Sequence, residues 1–168
     1  NFTADAKAKG TGTDFLSNRS RLTADAKIHQ LQYGSCNLSN ITADATLTNG
    51  HAVASIVGHN ELFNGNIGVD ALLNTKKLMA TISADLDKAD LYRMRLVEKP
   101  LSIGLCGSVD VMSDMKLTHR VTGLVDEIYI KGQKGTLRPD FVGIHINTSI
   151  DTVICRIQSG DFIVKLDA

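Results

Sequence analysis

The chain has 168 residues, of which 43% are hydrophobic and 5% aromatic, and it has no tryptophan. That length is enough for one domain with a core, and the core has to be aliphatic. Lysine plus arginine and aspartate plus glutamate each number 18, so the net charge is zero, which argues against nucleic-acid binding. The sequence also lacks an apolar run of about 18 residues that could span a membrane.

A four-residue motif is repeated along the first half of the chain. Residues 3–6, 23–26 and 42–45 read Thr-Ala-Asp-Ala, and residues 83–86 read Ser-Ala-Asp-Leu. Repetition at about 20 residues is typical of architectures built from stacked units. Around the middle copies, apolar and polar residues alternate strictly, which predicts half-buried strands; the apolar spacing that an Ala-rich helix would need is missing.

Turn formers separate these strands. Residues 10–21 carry two glycines, Gly34-Ser35 marks another turn, and Asn49-Gly50 predicts a tight hairpin. Residues 51–57 should return antiparallel, although apolar side chains on both faces leave their orientation open. Asn64-Gly65 predicts a further turn, and residues 74–77 form a polar tip between two alternating runs.

After residue 86 the apolar spacing changes. It favours a short helix or helical turn over residues 87–94, capped by Asp87 and stopped by Pro100. Strands resume at 101–111 and 119–130, and in the second of these a change of face at Asp126-Glu127 indicates a bulge. Residues 132–140 read as a loop. Strands at 142–146, 154–157 and 162–166 complete the chain, with a turn at 159–161.

The total is about ten strands joined mostly by hairpins, with one helical turn, so we predict an all-β fold. The small alanines do not fill a wide interior. They therefore favour an elongated, curled antiparallel sheet with an open apolar groove over a closed sandwich or barrel.

Few residues suggest chemistry. Cys36, Cys106 and Cys155 are an odd, widely spaced set and read as small buried hydrophobes, with one disulfide plus a free thiol still open. The spacing of the histidines does not match zinc-binding motifs. His51 and His59 could share a face of one strand, which is only a weak indication of a metal site. The aspartates of the repeat read as solvated outer-face charges rather than calcium ligands. We expect no cofactor, no metal and no enzymatic activity.

Three stretches carry a resemblance to a known family. They are residues 84–91 (Ala-Asp-Leu-Asp-Lys-Ala-Asp-Leu), residues 121–124 (Val-Thr-Gly-Leu) and residues 159–162 (Ser-Gly-Asp-Phe). The chain resembles the TamB family of translocation and assembly proteins, within the AsmA-like group. Its sequence is most similar to the TamB proteins of Bacteroidetes. The similarity covers nearly the whole chain, but its motifs are of low specificity: apolar residues alternate with polar ones, and glycine and aspartate interrupt the alternation.

The resemblance implies a periplasmic protein anchored in the inner membrane by an N-terminal helix. Its curled sheet would form a taco-like groove, similar to the bridge-like lipid-transfer proteins, that moves phospholipid to the outer membrane. The family is also linked to outer-membrane protein assembly with a TamA- or BamA-type barrel. Residues 1–168 would then be a single β-groove segment of a longer repeat protein.

The expected ligands are phospholipid acyl chains, and the exposed sheet edges are expected to allow edge-to-edge self-association. The predicted groove residues are Leu22, Ala24, Ala26, Ile28, Ile41, Ala43, Ala45, Leu47, Ile67, Val69, Ala71, Leu78, Ala80, Ile82, Ala84, Leu101, Ile103, Leu105, Val142, Ile144, Ile146, Phe162, Val164 and Leu166. The alternative is a β-solenoid adhesin or secreted passenger domain, which would need parallel stacking where the Asn-Gly pairs favour hairpins.

Overall fold

The computed structural model describes residues 1–12, 19–34 and 36–167, which form one large sheet. The strands are β1 (Phe2–Thr11), β2 (Arg21–Tyr33), β3 (Cys36–Thr48), β4 (His51–His59), β5 (Phe63–Leu73), β6 (Leu78–Asp90), β7 (Leu101–Ser113), β8 (His119–Gly132), β9 (Gly135–Leu137), β10 (Phe141–Thr148), β11 (Val153–Ser159) and β12 (Phe162–Asp167). The predicted turn at residues 10–21 is only partly described, and Ser35 of the next turn lies outside the described residues.

The strands form an antiparallel meander in which sequence neighbours are sheet neighbours. The order is β1-β2-β3-β4-β5-β6-β7-β8-β10-β11-β12, and the short β9 pairs back onto β8. β1 and β12 are each paired on one side only, so the curled sheet stays open. The predicted all-β, curled antiparallel fold is confirmed. It has twelve strands rather than about ten, and one of them, β9, lies inside the predicted 132–140 loop.

The sheet is a single layer. In the part of the chain that the structure describes, extensive contacts between strands join neighbours in the sheet. The accessible surface is 11226 Å², whereas a compact monomer of 18.1 kDa exposes about 8,100 Å². Without a second layer, both faces of the sheet are left open to the surroundings along most of its length.

The tight hairpins form where turn chemistry allows them. Asn49 and Gly50 have φ of 54° and 77°, the two positive values that a two-residue type I′ turn requires. At the polar tip, the Asn74 side chain accepts hydrogen bonds from the backbone N–H groups of Lys76 and Lys77, at 2.9 and 2.8 Å. Both predicted hairpins are confirmed.

The predicted turn at Asn64-Gly65 is wrong. Both residues lie inside β5, where the pairing register shifts between them and Gly65 has φ of 138°. The reversal comes earlier, at Asn60, whose side-chain oxygen accepts hydrogen bonds from the N–H groups of Leu62 and Phe63. A glycine with positive φ can occupy a bulge as well as a turn, and Gly65 occupies a bulge.

The predicted helix at residues 87–94 is also misplaced. Residues 87–90 continue β6, and a turn follows at residues 91–95. One helical hydrogen bond is present, from Met94 N to Asp90 O at 3.0 Å. The capping carboxylate is Asp90 rather than Asp87, because Asp90 accepts from Arg93 N at 3.0 Å.

Pairing irregularities line up across the sheet, and we call them the bulge line. Pairing skips His29 and Asn40 between β2 and β3, shifts at Gly65 in β5 and skips residues 87–88 in β6. It shifts again in β8 near Glu127, which has φ of 50° and confirms the bulge predicted there. Since a bulge bends its strand, these aligned bulges favour a bend of the sheet between β2 and β8 along one line.

Candidate functional site: the apolar face of the sheet

Cross-strand register decides which residues share a face. Paired residues in an antiparallel sheet point to the same side. One unbroken row crosses the whole sheet on its apolar face: Ala8, Ala24, Ala45, Ala54, Val69, Ile82, Val109, Gly123, Ile144, Ile157 and Val164. The repeated alanines are therefore neighbours in space.

Register and alternation place every predicted groove residue on this apolar face. They also resolve β4, whose orientation the sequence left open: Ala52, Ala54 and Ile56 pair with apolar-face partners, and Val53 and Val57 point to the outer face. The face is thus continuous from β1 to β12. That these residues contact lipid stays a prediction.

In the middle of the first four strands the apolar face is lined mainly by alanine. We call this region the alanine floor; its members are Ala6, Ala8, Ala24, Ala26, Ala43, Ala45 and Ala54. They line an open cleft of about 470 Å³, and Ile56 stands at its border with the next strand. Because alanine projects only a methyl group, the floor leaves room above it for apolar matter.

Where β5 begins, β6 ends and β7 begins, side chains pack over the same apolar face. Phe63, Leu86 and Ala89 are 7%, 8% and 4% exposed. We call these three and the half-buried residues packed on them the Phe63 cluster; the latter are Leu38, Ile67, Ala84, Leu91, Ile103 and Leu105. Leu91 comes from the turn that follows β6, so this segment helps to cover the cluster.

Four predicted groove residues, Ile67, Ala84, Ile103 and Leu105, belong to the Phe63 cluster and pack against protein. Sequence reasoning does not identify Phe63, because the turn predicted at Asn64-Gly65 places the start of the next strand after this residue. A signal for it was present in β4. Gly58 lies beneath the Phe63 ring, so a side chain there would overlap the ring.

The aspartates of the repeat lie on the outer face. Asp5 pairs with Lys27, Lys7 with Asp25, and Asp25 with Asp44 on its other side. Asp5, Asp25, Asp44 and Asp85 are exposed, and Asp5 accepts a hydrogen bond from His29 Nε2 at 2.9 Å. Among the described residues no group of three or more His, Cys, Asp or Glu side chains is arranged to hold a metal ion.

The shifted titratable groups of the outer face sit near the bulge line. Burial, with Asp85, Glu127 and Asp126 nearby, raises the pKa of the Cys106 thiol and keeps it protonated. Burial also raises the pKa of Tyr129, which lies over Gly104 with Arg138 stacked 5.7 Å from its ring centre. All three cysteines are free, and Cys36 is buried while the other two are half-buried.

Comparison of the chain with protein-family models, with curated proteins and with solved structures found no match. Within the described residues, no helix has the length and hydropathy needed to cross a bilayer.

Proposed function

We propose that the apolar face binds the acyl chains of phospholipids. The chain is then a β-groove segment of a TamB-like periplasmic protein whose full length, anchored in the inner membrane, conveys phospholipid to the outer membrane. In that role the chain is a binding and conveying element and not an enzyme, and it needs no cofactor.

The observation that carries this proposal is the unbroken apolar face of a single-layer sheet. Contiguous apolar patches of this extent are rare on monomers unless they bind something. An acyl chain gains about 0.8 kcal/mol for each CH₂ group taken out of water and asks for no directional contact. The alanine floor, with its cleft of about 470 Å³, offers a mostly apolar surface of this kind.

Participation in outer-membrane protein assembly, with a TamA- or BamA-type barrel as partner, rests on the family resemblance alone. The solenoid alternative required parallel coils, whereas every strand pair described here is antiparallel. An adhesin role therefore has no feature of this sheet in its favour.

Photo-crosslinking from adjacent positions tests the proposal, because neighbouring residues of a strand face opposite sides. A benzophenone side chain would replace Ala26, Ala43 or Ile82 on the apolar face, and Thr23 or Asp44 on the outer face. With vesicles of phosphatidylethanolamine and phosphatidylglycerol, we expect phospholipid adducts at the first three positions, at least fivefold above the other two. Equal labelling on both faces contradicts the proposal.

A steric variant separates binding from mere proximity. Ala43→Phe places a ring on the alanine floor and should reduce phospholipid uptake several-fold with an unchanged circular-dichroism spectrum. Thr46→Phe, on the outer face of the same strand, is the matched control and should bind lipid like the parent chain. Undiminished uptake by Ala43→Phe would show that the floor is not the binding surface.

A further inference from the structure

Two neighbouring hairpin turns meet at one end of the sheet. Leu78 at the start of β6 pairs with Ser113 at the end of β7, which brings the turns at residues 74–77 and 114–118 side by side. Between them lies an open cleft of about 410 Å³, which we call the tip cleft. Its lining includes Lys76, Lys77, Met112, Asp114 and Arg120. None of these is a predicted groove residue, so the tip cleft uses a different set of side chains from the apolar face.

The tip cleft carries an excess of positive charge. Lys76, Lys77 and Arg120 form no ion pair with any described residue. The carboxylate in the lining, Asp114, accepts three backbone hydrogen bonds from its own turn, at 2.9 to 3.0 Å. The lining thus holds three cations against one anion, and that anion is bound within its own turn. The cations are left to attract an anionic group from outside the chain.

Exposed apolar side chains surround these cations. Met112 pairs with Met79 on one side and with Arg120 on the other, on the outer face of the sheet, and both methionines are exposed. Met115 and Leu117, in the turn itself, are exposed as well. Cations beside apolar side chains match the surface of an anionic bilayer, where phosphates lie directly above acyl chains.

We propose that the tip cleft and the turn at residues 114–118 form a docking surface for an anionic phospholipid bilayer. Lys76, Lys77 and Arg120 contact lipid phosphates, while Met115 and Leu117 enter the interface beside them. A bilayer fits better than an acidic soluble protein because it offers both chemistries to a projecting turn without a shaped complement. The docking surface lies at the end of the sheet and leaves the apolar face free, so it goes beyond the proposed function and does not rest on it.

Charge reversal with a matched control tests the cationic part. Lys76→Glu/Lys77→Glu should weaken co-sedimentation with vesicles of phosphatidylcholine and phosphatidylglycerol about tenfold. Lys131→Glu/Lys134→Glu makes the same change of net charge at the opposite end of the sheet, and its binding should stay within about twofold of the parent chain. Equal weakening by the two variants overturns the proposal. So does a parent chain that binds vesicles of phosphatidylcholine alone just as tightly.

A fluorescence readout tests the apolar part, because the chain has no tryptophan of its own. Leu117→Trp should shift its emission to shorter wavelength when the phosphatidylglycerol vesicles are added, since the ring enters the interface. Leu137→Trp is the matched control at the opposite end of the sheet, and we expect no shift there. The two parent leucines are 55% and 62% exposed. An equal shift at both positions contradicts docking through the tip cleft.

Two further measurements separate this surface from other modes of binding. Ala43→Phe, which fills the alanine floor, should leave vesicle docking unchanged. A loss equal to that of Lys76→Glu/Lys77→Glu would place the docking on the apolar face and overturn the proposal. Soluble poly-glutamate that binds the parent chain as tightly as the vesicles do, with no vesicle-induced shift in Leu117→Trp, would assign the cleft to an acidic protein partner and overturn it too.

Discussion

The alanine floor and the Phe63 cluster lie on the same face of the same sheet, but only the cluster is covered by other parts of the chain. Phe63 fills the space above Gly58 and meets Leu86, and the turn after β6 adds Leu91. The alanines of the floor carry only methyl groups, and the described residues leave an open cleft above them. The cluster therefore contributes to stability, while the floor contributes an accessible surface.

The largest expected effect distinguishes these two roles directly. Phe63→Ala removes a 7% exposed ring and should lower the free energy of unfolding by about 3 kcal/mol. Ile82→Ala is the matched control on the open part of the face, where Ile82 is 42% exposed, and should cost about 1 kcal/mol. Urea denaturation measures both. Equal losses would mean that the cluster is no more tightly packed than the open face.

The second effect probes how closely Phe63 sits on β4. Gly58→Ala adds a methyl group that overlaps the Phe63 ring and should cost about 1–3 kcal/mol by overpacking. Gly143→Ala is a matched strand glycine whose new methyl group would lie 3.8 Å from Gln158 O, and we expect little change. A Gly58→Ala chain as stable as the parent would place the ring elsewhere.

The sequence predicted the alanine floor better than the Phe63 cluster, for a physical reason. The floor depends on alternation and on the I′ turn at Asn49-Gly50, and both are encoded within a few adjacent residues. The cluster depends on Gly65, which adopts a positive φ in a bulge instead of a turn, and on a register shift in β6. The partner that decides between bulge and turn is Leu86 on β6, more than 20 residues away from Gly65.

A smaller effect concerns the outer side of the floor. Asp25 and Asp44 stand directly opposite each other, and Lys7 relieves the repulsion from one side only. Asp44→Asn should therefore stabilise the chain by about 0.5 kcal/mol, measured by thermal or urea unfolding at low salt. Asp70→Asn is the control: it weakens the 2.8 Å contact with His51 and should not stabilise. A loss of stability in Asp44→Asn would rule out net repulsion at this pair.

The smallest effect lies at the β7–β8 tip, away from both regions. Backbone N–H groups of Thr118, Lys116 and Leu117 donate to Asp114 and hold its pKa below the ordinary value. The tip thus gains stability above the ordinary carboxyl pKa and loses it as pH falls through the lowered folded value. Carbon-detected NMR titration should show Asp114 titrating below the ordinary aspartate pKa, and Asp114→Asn should remove that contribution. An Asp114 titration at the ordinary value would contradict this prediction.

The bulge line gives the sheet a mechanical property that no single strand has. At each bulge a residue is missing from the ladder, so bending there strains fewer hydrogen bonds than bending elsewhere. Because His29, Asn40 and Glu127 are left out of the strand pairing and the register shifts beside Gly65, we expect the sheet to bend more easily along this line than across the intact ladders on either side. We expect the bend angle at the bulge line to set the width of the open space above the apolar face.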